Sequence, residues 1–260
     1  MFSFYACYDD CSERVLKMRY LIKFSYDGSQ FFGYQKQIDK RTVQGELEKV
    51  LSKISNSEVS VSASGRTDSL VHAINQYAHF DIDMNIDSNG LFRALNSLLP
   101  DDIYVKQVIE VSNDFHARFS VKSKEYIYKI NLGEYNPIER NYIYQYNKKL
   151  DVKEMNKAIQ FFLGKHDFKS FTKNNLEIDD FEREIYEVSI EEKNDMLIIK
   201  FKGNGFLRYM VRNMVGCLIE VGEGKKSVSD VQKILDFKDR TKAGIIAPAC
   251  GLYLKNVYYE

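Results

Sequence analysis

Tryptophan is absent from this 260-residue chain, and it has only three prolines and four cysteines. So little proline, with no Ser/Gly-rich stretch, excludes a string of beads on linkers and points to one continuous body. Four cysteines do not form a disulfide framework at this length. Cys7 and Cys11 are the one close pair, and no Cys or His stands beside them at ligand spacing. Reduced thiols are therefore expected rather than a metal site. Cys217 and Cys250 sit among apolar neighbours and read as core. No apolar run reaches the roughly 20 residues a membrane-spanning helix needs. The opening MFSFYACYDDCSERVLK lacks the basic start and clean apolar stretch of a secretory signal, so the expected location is the cytoplasm. Excess charge of one sign is also missing. The 37 Lys+Arg balance 37 Asp+Glu, which argues against indiscriminate coating of nucleic acid.

The charge is instead sorted locally. Residues 116–129 carry Arg118, Lys122, Lys124 and Lys129 against Glu125, and residues 202–226 carry Lys202, Arg208, Arg212, Lys225 and Lys226 against Glu220 and Glu223. A cleft lined by such stretches can steer a polyanion although the total is zero. Taken singly, each run also fits a solvated face. With 44% hydrophobic and 28% charged residues the composition is globular, and the length allows a substantial core.

Periodicity gives the order of elements. YLIKFSY (20–26) alternates as a strand and ends at Asp27-Gly28. Thr42 caps a helix that sets Val43, Leu47, Val50, Leu51 and Ile54 on one face. Residues 59–64 and 74–82 read as strands, Asp87 opens a helix closed by Pro100, and 103–111 is a strand. This is the β-α-β-β-α-β order of ferredoxin-like units. A similar order recurs: a strand at 124–132, a helix from Asp151 with Glu154 in capping-box position, and a hairpin of 184–192 with 196–202 around Asn194-Asp195. A long buried helix follows at 205–222, then a helix at 229–237 and a strand at 252–259. The expected fold is α+β. Its halves are 18–115, carrying the loop described next, and 116–260, with adjoining antiparallel sheets and a cleft between them. Residues 1–17 give no fold signal and read as an N-terminal extension.

The stretch Ser64-Gly65-Arg66-Thr67-Asp68-Ser69-Leu70-Val71-His72-Ala73 lies between two expected strands, where scaffolds present reactive groups. Arg66, two residues from Asp68, can keep the carboxylate ionised. Read by itself, the same string is an ordinary connection with a capping Asp and a surface Arg, and His72 is a packed histidine.

The loop resembles the GRTDAGVHA signature of A-type pseudouridine synthases. Five further stretches resemble that family's blocks in order: YDGSQFFGYQKQ with RTVQGELEKVL, FHARFSVKSKEYIY, GKHDFKSFT, GNGFLRYMVRNMVG and APACGLYLKNVYY. The likeness runs from Met18 to the C-terminus. It implies a cofactor-free tRNA pseudouridine synthase acting on uridines of the anticodon arm, at tRNA positions 38–40, as a homodimer that binds one tRNA across both subunits. In this reaction the bond from C1′ to N1 breaks and the base is reattached through C5. Nothing is oxidised or added, so the chemistry asks for no metal or cofactor.

By the resemblance Asp68 is the catalytic carboxylate. Whether it attacks C1′ or acts as a base through a glycal intermediate, the sequence leaves open. Tyr126 matches the tyrosine that packs on the target base, where a flat face with a polar edge is useful. Arg212 matches the basic residue that pairs with the carboxylate. Arg208 stands one helical turn earlier and reads as an RNA-backbone contact. Arg66 fills the place of the extruded nucleotide or grips phosphate. His116 and Arg118 belong to a basic block facing RNA phosphates. Leu70 and Val71 line the uridine pocket. His72, His116 and Gln44 fit a purely structural role about as well.

Ser69-Leu70 replaces the family's usual Ala-Gly. A leucine there is strained if its φ is positive. This departure allows a competing reading, an RNA-binding protein or tRNA chaperone that keeps the fold without catalysis. A hydrolase built on Asp68 and His72 would need a second acid or a metal, and no such constellation stands out.

Overall fold

The computed structural model of the chain describes residues 17–173 and 179–260. The extension read at 1–17, apart from Lys17, and the Cys7/Cys11 pair lie outside the described residues. The first half runs β1 (Met18–Tyr26), α1 (Val43–Ser55), β2 (Ser62–Ala63), β3 (His72–Ile82), α2 (Ser88–Leu98) and β4 (Ile103–Val111). The second runs β5 (Ser123–Asn131), β6 (Tyr144–Gln145), α3 (Val152–Ile159), β7 (Gly164–Asp167), β8 (Glu182–Lys193), β9 (Met196–Gly203), α4 (Met210–Gly222), α5 (Asp230–Phe237) and β10 (Leu252–Tyr258).

The strands form one continuous sheet in the order β4-β1-β3-β10-β5-β9-β8-β7, with β2 on β3 and β6 on β5. Strand β10 joins the halves. It lies parallel to β3 through Tyr253↔His72 and Leu254↔Ala73, and antiparallel to β5 through Leu252↔Tyr128 and its neighbours. The side-by-side arrangement read from the sequence is thus a single hydrogen-bonded surface.

Local chemistry explains the element ends. The Thr42 hydroxyl accepts from the Gly45 amide at 3.3 Å, Asp87 from Gly90 at 2.8 Å and Asp151 from Glu154 at 3.0 Å, each satisfying an orphan donor of a first helical turn. Asn194 and Asp195 both take positive φ, the geometry of a tight hairpin, between β8 and β9. In β1 the alternate residues Tyr20, Ile22, Phe24 and Tyr26 are all buried. Helix α4 buries nearly every residue, which is why its sequence is apolar all round.

Two expectations are corrected. The strand read at 59–64 shrinks to Ser62–Ala63, although Val59 and Val61 are buried where the alternation places them. The long helix read from 205 begins at Met210, because Tyr209 adopts a left-handed φ of 64° and breaks the run. Among the described residues no helix is long and apolar enough to cross a membrane.

Candidate active site

The loop from β2 to β3 is fixed at both ends. The Ser64 amide donates to Tyr77 O at 2.8 Å, and the Ser64 hydroxyl to Gln76 Oε1 at 2.5 Å. The Gln76 amide group donates to Gly65 O at 3.0 Å. Thr67 shares a hydroxyl bond of 2.8 Å with buried Tyr26, and its carbonyl accepts from the Tyr34 amide at 3.1 Å. Further on, the Leu70 amide donates to Phe31 O at 3.3 Å and the Val71 amide to Asp68 O at 3.2 Å. Leu70 has φ 65°, the strained conformation the sequence warned of, and its side chain is 45% exposed.

Asp68 sits at the turn of this loop with 18% of its side chain exposed. Burial pushes its carboxyl above the usual Asp range, while Arg212 and then Arg208 pull it back. Arg212 Nη1 stands 3.6 Å from Oδ2, and Arg208 Nε 3.8 Å from Oδ1. Arg212, only 14% exposed, is held by its own Nε–H, which donates to Ala247 O at 2.8 Å. Arg208 is 59% exposed and precedes α4, so it reaches Asp68 from a loop and not from a helical face. The charge partners of Asp68 therefore come from the second half of the chain. Arg66 is exposed and, among the described residues, pairs with no acid. The reading that the adjacent Arg66 holds the carboxylate is corrected; Arg212 stands beside it as the resemblance implied, and Arg208, read as an RNA-backbone contact, is a second charge partner.

Tyr126, on β5, lies near enough to Asp68 to feel its charge. It is buried, and its ring meets Phe206 edge-on at 5.0 Å. Burial first, then Tyr26 and Asp68, push its phenol well above the ordinary tyrosine range, so it keeps its proton. Sequence reasoning missed Tyr209. Its ring lies within 5.1 Å of the Arg208 guanidinium and 5.4 Å of that of Arg212, and its left-handed backbone brings both to it. The only signal was its place between the two arginines.

Other candidates prove structural or peripheral. Val71 is 2% exposed and points into the core, so its side chain is not offered to a ligand. His72 accepts from the Gly28 amide at 3.1 Å, donates to Asn141 O at 2.9 Å and stacks on Tyr253 at 4.7 Å. Burial lowers its pKa, which keeps it neutral in a packed joint. Gln44 bridges Glu48 and the Lys36 amide. His116 accepts from the Arg118 amide at 3.1 Å in a turn after β4, with its ring edge-on to His79 and tilted against Phe119. Arg118 beside it is exposed and available to a ligand.

A partly buried carboxylate with two arginines beside it and a protonated tyrosine near enough to feel its charge is an arrangement suited to acting on a flat polar ring. The family model described as tRNA pseudouridine synthase matches residues 22–120 and 158–260. A protein of Anoxybacillus flavithermus named tRNA pseudouridine synthase A is 48% identical over 237 residues, covering 91% of this chain and 96% of that protein. Proteins of the same name from Geobacillus sp. and Latilactobacillus sakei are 47% and 44% identical and cover 96% and 100% of their own lengths. The chain belongs to the tRNA pseudouridine synthase A family and is an isomerase that forms pseudouridine in tRNA. A chain of a solved Cbf5-Nop10-Gar1 complex is similar over 77% of this chain and 54% of its own length, at TM-score 0.30 and 12% identity.

Proposed function

We propose that Asp68 performs the isomerisation, on uridines of the anticodon arm at tRNA positions 38–40. The observation that carries this is the ion-pair geometry of Asp68 with Arg212 and Arg208 across the two halves. It holds a partly desolvated carboxylate charged, as attack on C1′ or proton abstraction requires. Tyr126 packs on the base, and its retained proton gives the detached uracil a donor. Arg66 and Arg118, both exposed, grip backbone phosphate, and Arg66 can enter the stack vacated by the extruded nucleotide. Leu70 forms the apolar lip of the uridine pocket.

The two halves, 18–115 and 116–260, are each ferredoxin-like. The strand orders β4-β1-β3-β2 and β10-β5-β9-β8 support this, since each half repeats one pattern about its own first strand. The enzyme works as a homodimer in the cytoplasm, where its tRNA substrate is processed. Incubation with unmodified tRNA transcript, followed by carbodiimide primer extension, tests the site. Stops confined to positions 38–40 support it, and stops elsewhere overturn the anticodon-arm assignment.

A further inference from the structure

Lys124 has no role in the reading above, yet it is the one residue of β5 that touches the catalytic loop by a hydrogen bond among the described residues. It stands two residues before Tyr126, so both side chains leave the same face of the strand. Its ammonium donates to Ser64 O at 2.7 Å, across 60 residues of sequence and across the join between the halves. Gly65 makes the room: a Cβ there would lie 2.8 Å from Lys124 Nζ. The Ser64 amide and hydroxyl and the Gly65 carbonyl are already held by β3. The Ser64 carbonyl is therefore the point at which the strand bearing Tyr126 sets the loop bearing Asp68.

The surroundings of Lys124 make it an expensive way to hold a carbonyl. The charges that reach it are Arg118 and Arg183, both positive, and with burial as the larger cause its pKa falls to about 8. A half-buried lysine set among cations lowers the stability of the fold in its charged form. Such an arrangement persists where function requires it.

We propose that Lys124 is a positioning residue for catalysis, which ties the Ser64–Asp68 loop to the strand of Tyr126 and sets the spacing between the carboxylate and the tyrosine. This rests on Asp68 as the reacting group. Misplacing a reacting group by a fraction of an ångström lowers the rate of the chemical step and leaves binding nearly unaltered.

Two variants test it. Lys124→Met removes the bond. Gly65→Ala displaces the flexible lysine head without removing any charge, and it keeps the test alive should the first variant fail to fold. Each is measured with Asp68→Asn alongside, by single-turnover pseudouridine formation and tRNA binding over a salt series. The expected result is a fall in kcat of about tenfold or more in both variants, with KM and salt dependence within about threefold of wild type. A raised KM at unchanged kcat, with a shallower salt slope, makes Lys124 a phosphate contact and overturns the proposal. Wild-type kcat per folded enzyme in Gly65→Ala overturns it as well. If Asp68→Asn is active, the Asp68 reading fails by itself. If Asp68→Asn is inactive while both variants match wild type, only the role of Lys124 fails.

Discussion

Asp68 is where burial and charge oppose one another, and burial wins: its carboxyl titrates above the ordinary 3.8 despite two arginines. A carboxyl raised in the folded state adds stability while protonated, below its unfolded pKa. That contribution is lost as pH rises through the folded value. At pH 7 the ionised form is therefore held at a cost to stability, and Asp68→Asn should melt no lower than wild type. A clearly lower Tm would mean that attraction to the arginines outweighs desolvation. Arg212 exerts the larger downward pull. Arg212→Ala should therefore move the acid limb of the single-turnover pH profile upward and slow turnover strongly. Arg208→Ala should shift it less, because a side chain 59% exposed is screened by solvent. Equal shifts in the two variants would contradict the ranking. At Leu70, a left-handed backbone costs an L-residue roughly 1–2 kcal/mol. Glycine relieves this but loses up to ~1 kcal/mol of chain entropy on folding. Ser69→Ala with Leu70→Gly should accordingly keep turnover and leave Tm level or slightly raised. Loss of most pseudouridine yield with normal tRNA binding would mean that Leu70 is a wall the pocket depends on.

At the scale of elements, α4 sets the site through its close contact with the segment before β10. A Cβ on Gly216 would lie 2.0 Å from Ile245 O, so only glycine lets that segment approach. Two residues on, Ala247 O receives the Nε–H of Arg212, and its amide donates to Arg212 O at 3.1 Å. Gly216→Ala should destabilise by about 1–3 kcal/mol through overpacking and lower turnover of the folded fraction, because Arg212 loses its seat. Denaturant unfolding with activity per folded enzyme checks both, and a neutral result would contradict the contact. Much of this level was legible in the sequence. The caps at Thr42, Asp87 and Asp151, the Asn194-Asp195 turn and the alternation of β1 each rest on local rules that the fold obeys. What escaped was set by tertiary contact. Nothing in GFLRYMVR announces that the chain turns left-handed at Tyr209, since the apolar spacing runs on unbroken. Likewise 59–64 alternates like a strand because Val59 and Val61 are buried, although only Ser62 and Ala63 pair. The motif pointed to Asp68, to Tyr126 and to the pairing of Arg212 with the carboxylate, but not to the approach of Arg208 to Asp68 or to Tyr209 beside both arginines. The loop's nearest cation in sequence, Arg66, faces outward, and the ones beside it come from 140 or more residues away, at Arg208 and Arg212.

At the scale of the whole molecule, the function proposed above places the chemistry where two halves of one sheet meet. The first half supplies the loop of Asp68, the second supplies Arg208, Arg212, Tyr126 and Lys124, and β10 locks them into one sheet. On that proposal neither half holds the whole site, and its geometry depends on the join. As a homodimer, the protein should sediment at micromolar concentration with twice its 30.4 kDa chain mass. A monomer mass under conditions of full activity would contradict the assembly proposed here. The central claim is that this join exists to hold one reacting carboxylate. The direct measurement is pseudouridine mapping on unmodified tRNA after prolonged incubation with Asp68→Asn, with its tRNA affinity measured in parallel. The account predicts no pseudouridine above background and an affinity within about threefold of wild type, since phosphate contacts position the RNA without the carboxylate. Pseudouridine accumulating to a substantial fraction of the wild-type yield would contradict it.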